Sequence, residues 1–500
     1  MAFKVERGEY GADEAERAQM FADFIAGGTG MDGHRLVGVA TTGIYCRSTC
    51  RVQSPPKPSN CSYFENAAAA EAAGYRPCLM CRPELMPGEK NVGASYEPAH
   101  QAADVLRANY SQPGDAASLL AARSIDAAQV GEAFTAQFGV SLDAYLQTQR
   151  LLGAKALLTD TRLPVGEVAH ACGFASEDAL ASCMNAVYRF EPEALRRRRL
   201  GKAELSRPGV AFKLDYRAPY EFERLLEFFR YRTLAGVEAI DERSYARTVR
   251  MMGADGQELF GWVRVENDAA HNRLACRMSE SLLPVYSQVV ARVRHTFDVD
   301  CDPAAVHAGL ATLDDAVTGA NVCGTRVPGA FDAFEITVRA ILGQQVSVLA
   351  ANKIAERIAR EHGRSLNTGI EGLDYAFPSA ADFLAMDPIE DGLGVLGVIK
   401  TRSRCIAELA RLLLAGEIDL STWANPAEQM ERLLAVRGIG AWSANYICMR
   451  TLGFTDAFLE KDAGIKHALP DLEPAERLAV AESWRPWRSY ANVALWNSLV

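Results

Sequence analysis

The sequence lacks the features that would place it in a membrane or outside the cell. Its 500 residues contain no apolar run of about 18 residues, which is the length that a membrane-spanning helix needs. The N-terminal stretch from Met1 to Met20 is polar and acidic, unlike a secretory signal peptide. Twelve cysteines without an export signal indicate reduced thiols or metal ligands rather than a disulfide framework. We therefore expect a cytoplasmic protein without a membrane segment.

The sequence also lacks the positive charge of a protein that binds nucleic acid with its whole surface. Its 53 Lys and Arg residues are outnumbered by 63 Asp and Glu residues, which gives a net charge of −10. Any surface for nucleic acid must therefore be local, such as the basic run Arg196–Arg199. The length and a hydrophobic content of 49% predict about three domains with sizeable cores.

Four cysteines form two closely spaced pairs near the N-terminus. Cys46 and Cys50 are four residues apart, and Cys78 and Cys81 form a C-x-x-C pair further along the chain. Two such pairs are typical of a tetrahedral zinc ion held by four thiolates. The spacing alone leaves a purely structural zinc knuckle open. Cys61 lies between the pairs without a partner, and we interpret it as an ordinary thiol.

The residues around these cysteines are more specific than their spacing. The segments TTGIYCRSTC and GYRPCLMC closely resemble the N-terminal domain of the Ada adaptive-response proteins. The resemblance implies one Zn²⁺ ligated by both pairs, with Cys46 also removing a methyl group from DNA methylphosphotriesters once and irreversibly. Ligation to zinc keeps a sulfur as the thiolate that such a methyl transfer needs. The same resemblance places Thr42 and Arg76 at the phosphate.

The region from 96 to 200 is rich in helical patterns. One long helix at about Leu142–Asp160 joins two helix-turn-helix units, and the whole stretch resembles an AraC-type DNA-binding domain. We expect recognition helices at about Asp126–Phe138 and Ser176–Phe190. These helices are acidic and nearly free of Lys and Arg, whereas base and phosphate contacts normally use basic or amide side chains. The remaining candidates for base contacts are Gln129, Gln137 and Asn185. Binding to a specific operator and a role as a mere spacer both stay open.

A glycine-containing turn, Arg437-Gly438-Ile439-Gly440, separates two short apolar helices near the C-terminal end. Such a turn before a helix N-terminus exposes backbone N–H groups that can hold a phosphate. Asp462 follows, and its carboxylate could be either a helix N-cap or a group that takes part in a reaction. Trp442 and Tyr446 share one helix face, and Trp496 ends a later aromatic segment. Aromatic rings beside a lone carboxylate suit a flipped, cationic base.

From about Ala211 to its end the chain resembles the AlkA-type 3-methyladenine glycosylases of the helix-hairpin-helix superfamily. The resemblance is carried by LDYRAPY, PGAFDAFE, VRAILGQQVSV, RGIGAWSANY and WRPWRSYA. It implies that Asp462 is the catalytic anion near the target sugar. The implied base pocket consists of Trp442, Tyr446, Trp496 and Phe228, although Phe228 could be plain core. The implied DNA contacts are Gly438, Ile439, Gly440 and Gln345. A monovalent or Mg²⁺ ion at the hairpin is a further expectation.

Three positions qualify this resemblance. Gln345 stands where the glycosylases insert an apolar wedge into the base stack, and Ala463 replaces the expected tyrosine beside the aspartate. Trp442 occupies the place where the lyase branch of the superfamily carries its Schiff-base lysine. We therefore expect base excision by hydrolysis without strand cleavage.

These patterns together predict a multidomain α+β protein. A small α/β zinc domain covers residues 1–90, and an all-α double helix-turn-helix domain covers 96–200. A glycosylase follows, with an antiparallel β-sheet subdomain at 208–295 and an α-helical helix-hairpin-helix core at 296–500. We predict a monomer that acts on alkylated double-stranded DNA, as a methyl acceptor and a 3-methyladenine-type glycosylase. Two alternatives are a methylation-sensing transcription regulator with a catalytically weak glycosylase domain, and a lesion-binding scaffold without turnover.

Overall fold

The structure, a computed structural model, describes residues 14–28, 31–51, 54–93, 97–197 and 208–499. Arg198 and Arg199 of the predicted basic run lie outside the described residues, as does the first part of the polar N-terminus. Within the described ranges, none of the helices combines the length and the apolar character needed to cross a bilayer.

The first domain is built on a four-stranded sheet with strand order β3-β1-β2-β4. Its elements are α1 (Glu14–Ala26), β1 (Leu36–Val39), β2 (Ile44–Arg47), β3 (Cys61–Phe64), α2 (Ala67–Ala72) and β4 (Arg76–Pro77). Strand β4 runs parallel to β2, and Ile44 faces Arg76 across the ladder. The N–H of Cys78 donates to the carbonyl oxygen of Tyr45 at 2.9 Å, which brings the second cysteine pair beside the first.

The second domain is all-helical, as predicted. Its helices are α3 (Pro98–Asn109), α4 (Ala116–Ala121), α5 (Ala127–Phe138), α6 (Leu142–Asp160), α7 (Val165–Ala171), α8 (Glu177–Tyr188) and α9 (Pro192–Arg196). The side chains of Asp126, Ser141 and Ser176 accept backbone N–H groups at the starts of α5, α6 and α8. These N-caps fix the starts of the long helix and of the two predicted recognition helices, whose positions agree with the sequence prediction.

The third unit is a five-stranded sheet with strand order β5-β9-β8-β7-β6, in which every pairing is antiparallel. Its elements are β5 (Val210–Asp215), α10 (Phe222–Tyr231), β6 (Glu238–Ile240), β7 (Ser244–Met252), β8 (Glu258–Asp268), β9 (Arg273–Met278) and α11 (Tyr286–Thr296). Burial alternates along β9, so that one face of the sheet packs on the core. The predicted antiparallel subdomain is confirmed.

The rest of the chain forms the helical core. Its elements are α12 (Pro303–Gly309), α13 (Leu313–Ala316), α14 (Ala333–Leu342), α15 (Val348–His362), β10 (Arg364–Ser365), β11 (Tyr375–Ala376), α16 (Ala380–Leu384), α17 (Ile389–Gly394), α18 (Lys400–Leu414), α19 (Pro426–Ala435), α20 (Ala441–Ile447), α21 (Ala463–Ala468), α22 (Pro474–Ala481) and α23 (Arg488–Asn497). A short π-helical turn, Cys448–Leu452, continues α20. The hairpin turn lies between α19 and α20, as the sequence predicted.

The segment between the first two domains, residues 88–93, is packed against the glycosylase part of the chain. The Gly88 N–H donates to Asp300 at 2.6 Å, and the Gly93 N–H donates to the Thr455 hydroxyl at 3.0 Å. The Lys90 ammonium group pairs with Asp298, whose side chain is almost fully buried. Residues 88–93 are therefore a strap across the glycosylase rather than a free linker.

Buried ion pairs join the first two domains to the glycosylase. Arg47, the residue after Cys46, bonds to Asp32 of its own domain and to Asp215 of β5, each at 2.5 Å. Asp160 at the end of α6 accepts from Arg82 at 2.7 Å and from Lys213 of β5 at 3.3 Å. Removing one partner from a buried pair typically destabilises a protein by about 3–5 kcal/mol. These contacts bind the three parts of the chain into a common interface.

Glu71 lies where the zinc domain meets the helix-turn-helix domain. Its carboxylate accepts hydrogen bonds from Tyr45 at 2.9 Å, Tyr188 at 3.0 Å and Thr148 at 2.7 Å. Burial raises the pKa of Glu71 to about 7, although the three hydroxyl donors oppose that rise. The folded protein thus binds this proton more tightly than the unfolded chain does, so stability falls as pH rises from about 4.5 to about 7.

We predict that Glu71→Gln stabilises the protein near pH 8 by roughly 1–3 kcal/mol, because a neutral amide avoids burying a charge. The advantage should shrink near pH 6, where wild-type Glu71 is largely protonated. Calorimetric unfolding of the zinc-loaded chain at both pH values measures this. Glu167→Gln, at an exposed position of the helical domain, is the matched control. A Glu71→Gln variant that is less stable than wild type near pH 8 would contradict the assignment.

Candidate functional site

The four cysteines of the two pairs converge at one point of the zinc domain. Their sulfur atoms all lie within 4.8 Å of one another. Cys46 is placed by strand β2, and Cys50 by a turn in which its N–H donates to the Arg47 carbonyl at 3.1 Å. Cys78 and Cys81 follow β4. A tetrahedral zinc ion with bonds of about 2.3 Å needs sulfur atoms clustered in this way.

The surroundings of the sulfurs also suit a metal-bound thiolate. The backbone N–H of Met80 points to Cys78 Sγ at 3.3 Å, and that of Arg47 points to Cys81 Sγ at 3.4 Å. Hydrogen bonds to the ligand atoms are the usual outer support of a metal site. The donor set and its support therefore fit one Zn²⁺, as the sequence predicted.

Cys46 itself is nearly buried. Its exposed fraction is 8%, and it packs in a cluster with Met20 and Phe24 of α1. Cys50 has the same exposed fraction. Exposure therefore does not single out the methyl acceptor among the ligands, and the role of Cys46 stays a prediction from the sequence.

The two predicted phosphate contacts lie on the same sheet. Thr42 is exposed in the turn between β1 and β2, and its hydroxyl donates to the Val39 carbonyl at 3.1 Å. The Arg76 guanidinium carbon lies 4.9 Å from the centre of the Phe190 ring in the helical domain. Arg76 is thus stacked at a domain boundary, and its role at a phosphate stays a prediction.

The hairpin turn is shaped by its two glycines. Gly438 has a φ of +102°, and a Cβ atom there would lie 3.1 Å from the Cys405 sulfur. Gly440 precedes α20, and a Cβ atom there would meet open space. The side chain of Ile439 is buried, so its contact with DNA would come from its backbone. Gln344 Nε2, in the turn that follows α14, donates to the Gly438 carbonyl at 2.8 Å and supports the hairpin turn.

Four N–H groups converge on the carboxylate of Asp462. The indole Nε1 of Trp496 donates to Oδ1 at 2.9 Å, and that of Trp442 donates to Oδ2 at 3.1 Å. The backbone N–H groups of Gly464 and Ile465 donate to Oδ1 at 2.8 and 3.3 Å. Asp462 is therefore both an N-cap of α21 and the centre of an aromatic site. The two interpretations of this residue are compatible.

A cavity of about 950 Å³ opens beside Asp462. Trp442 and Tyr446 form one wall, with their rings parallel within 7° and their centroids 5.2 Å apart. Gln345 lies at the edge of the cavity with an exposed side chain and a φ of +57°. A left-handed backbone is uncommon for a residue other than glycine, and such strain clusters at functional sites. Ala463 is also exposed at this cavity.

Phe228 and Trp496 are stacked on each other with centroids 6.0 Å apart. The Arg232 guanidinium carbon lies 3.7 Å from the Phe228 centroid and 6.0 Å from the Trp496 ring, and Arg232 itself lines the cavity. The Arg450 guanidinium carbon lies 5.0 Å from the same Phe228 ring. Two cations thus already stack on the ring that the sequence assigned to a cationic base.

Sequence reasoning missed four arginines at this cavity: Arg232, Arg247, Arg339 and Arg450. Arg339 is paired with Glu335 and Glu238, at 3.0 and 3.3 Å. Burial lowers the pKa of Arg232. The spacing of Tyr446 and Arg450, four residues apart on one helix face, was a signal that could have revealed their contact.

Four family models match consecutive parts of the chain. They are the metal binding domain of Ada over residues 20–84, a helix-turn-helix domain over 119–198, the AlkA N-terminal domain over 211–332, and the HhH-GPD superfamily of base excision DNA repair proteins over 338–486. Their order confirms the succession of Ada-type, helix-turn-helix and AlkA-type parts that the sequence indicated.

Curated relatives match both the whole chain and its parts. DNA-3-methyladenine glycosylase 2 of Escherichia coli (strain K12) is 34% identical, over 57% of this chain and 96% of the relative. The bifunctional transcriptional activator/DNA repair enzyme Ada of the same strain is 41% identical, over 13% of this chain and 18% of the relative. A probable bifunctional transcriptional activator/DNA repair enzyme AlkA of Mycobacterium tuberculosis (strain H37Rv) is 32% identical over 94% of this chain and 93% of the relative. The chain therefore belongs to the family of fused Ada- and AlkA-type DNA repair proteins.

Proposed function

We propose that the C-terminal half of the chain excises alkylated purines of the 3-methyladenine type from double-stranded DNA. The observation that carries this proposal is the Asp462 carboxylate, which four N–H groups hold at the wall of a cavity beside the hairpin. A carboxylate in that position can stabilise the positive charge that develops on a sugar as its base departs. Backbone N–H groups of the hairpin would bind a DNA phosphate and so keep the target sugar beside Asp462.

Excision of a cationic base needs no acid from the protein. Alkylation of a ring nitrogen lets the base leave as a neutral molecule, so the bonding electrons move to the base without added acid. Water then joins the sugar, and Asp462 either orients that water or balances the charge. Trp442 occupies the position of a Schiff-base lysine, which favours hydrolysis without strand cleavage. Gln345, strained and exposed, would fill the space left by the flipped nucleotide.

The zinc domain adds a second repair reaction to the proposal. Zinc bound by the four cysteines would hold their sulfurs as thiolates. Cys46 Sγ forms a bond to the methyl carbon of a phosphotriester as the methyl–oxygen bond breaks, and the phosphate leaves as a diester anion. The product is a methylated Cys46, so each molecule reacts once. Thr42 and Arg76 are the side chains proposed to hold the phosphate.

The helix-turn-helix domain is the least suited of the three to reading DNA. Gln137 Nε2 lies 3.0 Å from His100 Nδ1, and Asn185 donates to Glu191 within the domain. Two of the three side chains that could contact bases thus make hydrogen bonds within the domain. The third, Gln129, lies on the exposed face of α5. This supports repair as the main activity. Regulation of transcription after methylation of Cys46 remains the second function.

We also propose that the protein is a cytoplasmic monomer. The structure describes all twelve cysteines and joins none of them in a disulfide, which suits a reducing compartment.

We predict that Asp462→Asn slows single-turnover release of 3-methyladenine at least a hundredfold, because losing a preorganised electrostatic group typically costs 10²–10³ in rate. The amide nitrogen cannot accept an indole N–H, so the variant should also lose about 1–3 kcal/mol of stability. Rates must therefore be measured well below its melting temperature, alongside its circular dichroism.

Asp471→Asn is the matched control, because it removes an exposed carboxylate from the same domain and should leave excision unchanged. A folded Asp462→Asn variant that keeps more than about a tenth of wild-type excision would reduce Asp462 to a helix cap and overturn the proposed mechanism.

We predict that incubation of the zinc-loaded chain with methylated DNA adds a single methyl group to Cys46. Intact-protein mass spectrometry followed by peptide mapping measures both the number and the position. A Cys61→Ser variant should accept the methyl group as wild type does, since Cys61 lies outside the cysteine cluster. Mapping of the methyl group to Cys50 or Cys61 would show that the nucleophile is assigned wrongly.

A further inference from the structure

Two of the four clustered cysteines are followed directly in sequence by a buried arginine. Arg47 follows Cys46, and Arg82 follows Cys81. The exposed fraction of each arginine is 6%. A charged side chain is almost never buried to this extent unless it is paired. The partners of the two arginines therefore show which part of the protein is attached to the cysteine cluster.

Arg47 joins the cysteine cluster to the edge of the glycosylase sheet. Its backbone N–H points to Cys81 Sγ at 3.4 Å, and its guanidinium group donates to Asp215 Oδ2 at 2.5 Å. Asp215 ends β5, which is an edge strand of the five-stranded sheet. The other oxygen of Asp215 lies 3.1 Å from Arg273 Nε but accepts no hydrogen bond within the described residues. The buried carboxylate of Asp215 thus depends on an arginine from the zinc domain.

Arg82 reaches the same strand through Asp160. Its guanidinium group donates to the two oxygens of Asp160 at 2.8 and 2.7 Å, and Lys213 of β5 donates to Asp160 Oδ1 at 3.3 Å. Arg82 has a φ of +53°, an uncommon backbone conformation that its surroundings must hold in place. Residues two apart on a strand share one face, so Lys213 and Asp215 lie on the same face of β5. The zinc domain is therefore attached to that face at two positions.

The chain that leaves Cys81 continues to the wall of the glycosylase cavity. The Met86 carbonyl accepts from Arg294 of α11 at 3.2 Å, and Lys90 of the strap pairs with Asp298. Asp298 has a φ of +48° and follows two residues after Thr296, which ends α11 and lines the cavity. The end of α11 is therefore held by the same segment that carries the second cysteine pair.

We propose that zinc at the four cysteines is a structural requirement of the glycosylase part of the chain. In a small metal domain the free energy of metal binding is also free energy of folding, so the metal fixes the segments that carry its ligands. Without zinc, Arg47 and Arg82 would withdraw from Asp215 and Asp160 and leave these buried carboxylates without their cations, which is strongly unfavourable. Strand β5 and the end of α11 would then open more often. This inference goes beyond both repair reactions, because it makes the metal of one domain a stabilising element of the other.

The test is amide hydrogen exchange of the full reduced chain, measured with zinc, after removal of zinc by a chelator, and after zinc is returned. Hydrogen exchange reports how often each segment opens. We expect the amides of β5 and of the last turn of α11 to exchange at least about tenfold faster without zinc and to recover when zinc is returned. Unchanged exchange at β5 and α11 after removal of zinc would overturn the proposal. The measurement does not depend on whether the glycosylase is active.

Two variants test whether the effect passes through the buried ion pair. Asp215→Asn keeps the size of the side chain but removes the charge that needs Arg47, so the effect of zinc removal on β5 should be smaller than in wild type. Asp241→Asn is the matched control, since this carboxylate lies in the turn after β6 of the same sheet with its side chain 55% exposed. It should show the full wild-type effect. An equal effect of zinc removal in Asp215→Asn and in wild type would overturn the role assigned to Arg47.

Discussion

The active region of the glycosylase depends on one carboxylate with four N–H donors. Asp462 binds the indole of Trp442 on α20, the indole of Trp496 on α23 and the first backbone N–H groups of α21. Three helices thus meet at a single charge. The same bonds that orient the carboxylate toward the cavity also hold the aromatic residues around it. Such preorganisation lets the group stabilise charge without rearranging during the reaction.

Ion pairs and hydrogen bonds also join the zinc domain to the glycosylase. Arg47 directly follows the predicted methyl acceptor and ends in a buried bond to Asp215 at the edge of the glycosylase sheet. In the strap of residues 88–93, the Gly88 N–H donates to the half-buried Asp300, and the Lys90 ammonium group pairs with the buried Asp298 of the glycosylase part. Because these charges are removed from water, each group needs its partner from the other domain. The two repair domains are therefore packed against each other as well as joined in one chain.

Local patterns in the sequence predicted the features that depend on neighbouring residues. The helical patterns and the AraC-type resemblance located the recognition helices, the cysteine pairs located the metal centre, and the glycine turn located the hairpin. Contacts between distant residues were beyond that reasoning. Arg450 is more than two hundred residues from Phe228 in sequence, and nothing near Arg450 marks it as a cation over that ring. Arg232 lies four residues after Phe228, and that spacing could have revealed their contact. The strap between the domains has the composition of a linker, and only its bonds to the buried Asp298 and the half-buried Asp300 reveal its role.

In the proposed mechanism, the charge of Asp462 opposes the positive charge on the target sugar. Its most direct test is the affinity for two abasic analogues in one duplex, a cationic pyrrolidine ring and a neutral tetrahydrofuran ring. Wild type should bind the cationic ring at least about tenfold more tightly, because the half-buried carboxylate of Asp462 lies beside it. Asp462→Asn should lose that preference and keep its affinity for the neutral ring. Equal affinity of wild type for both rings would contradict this role of the Asp462 charge.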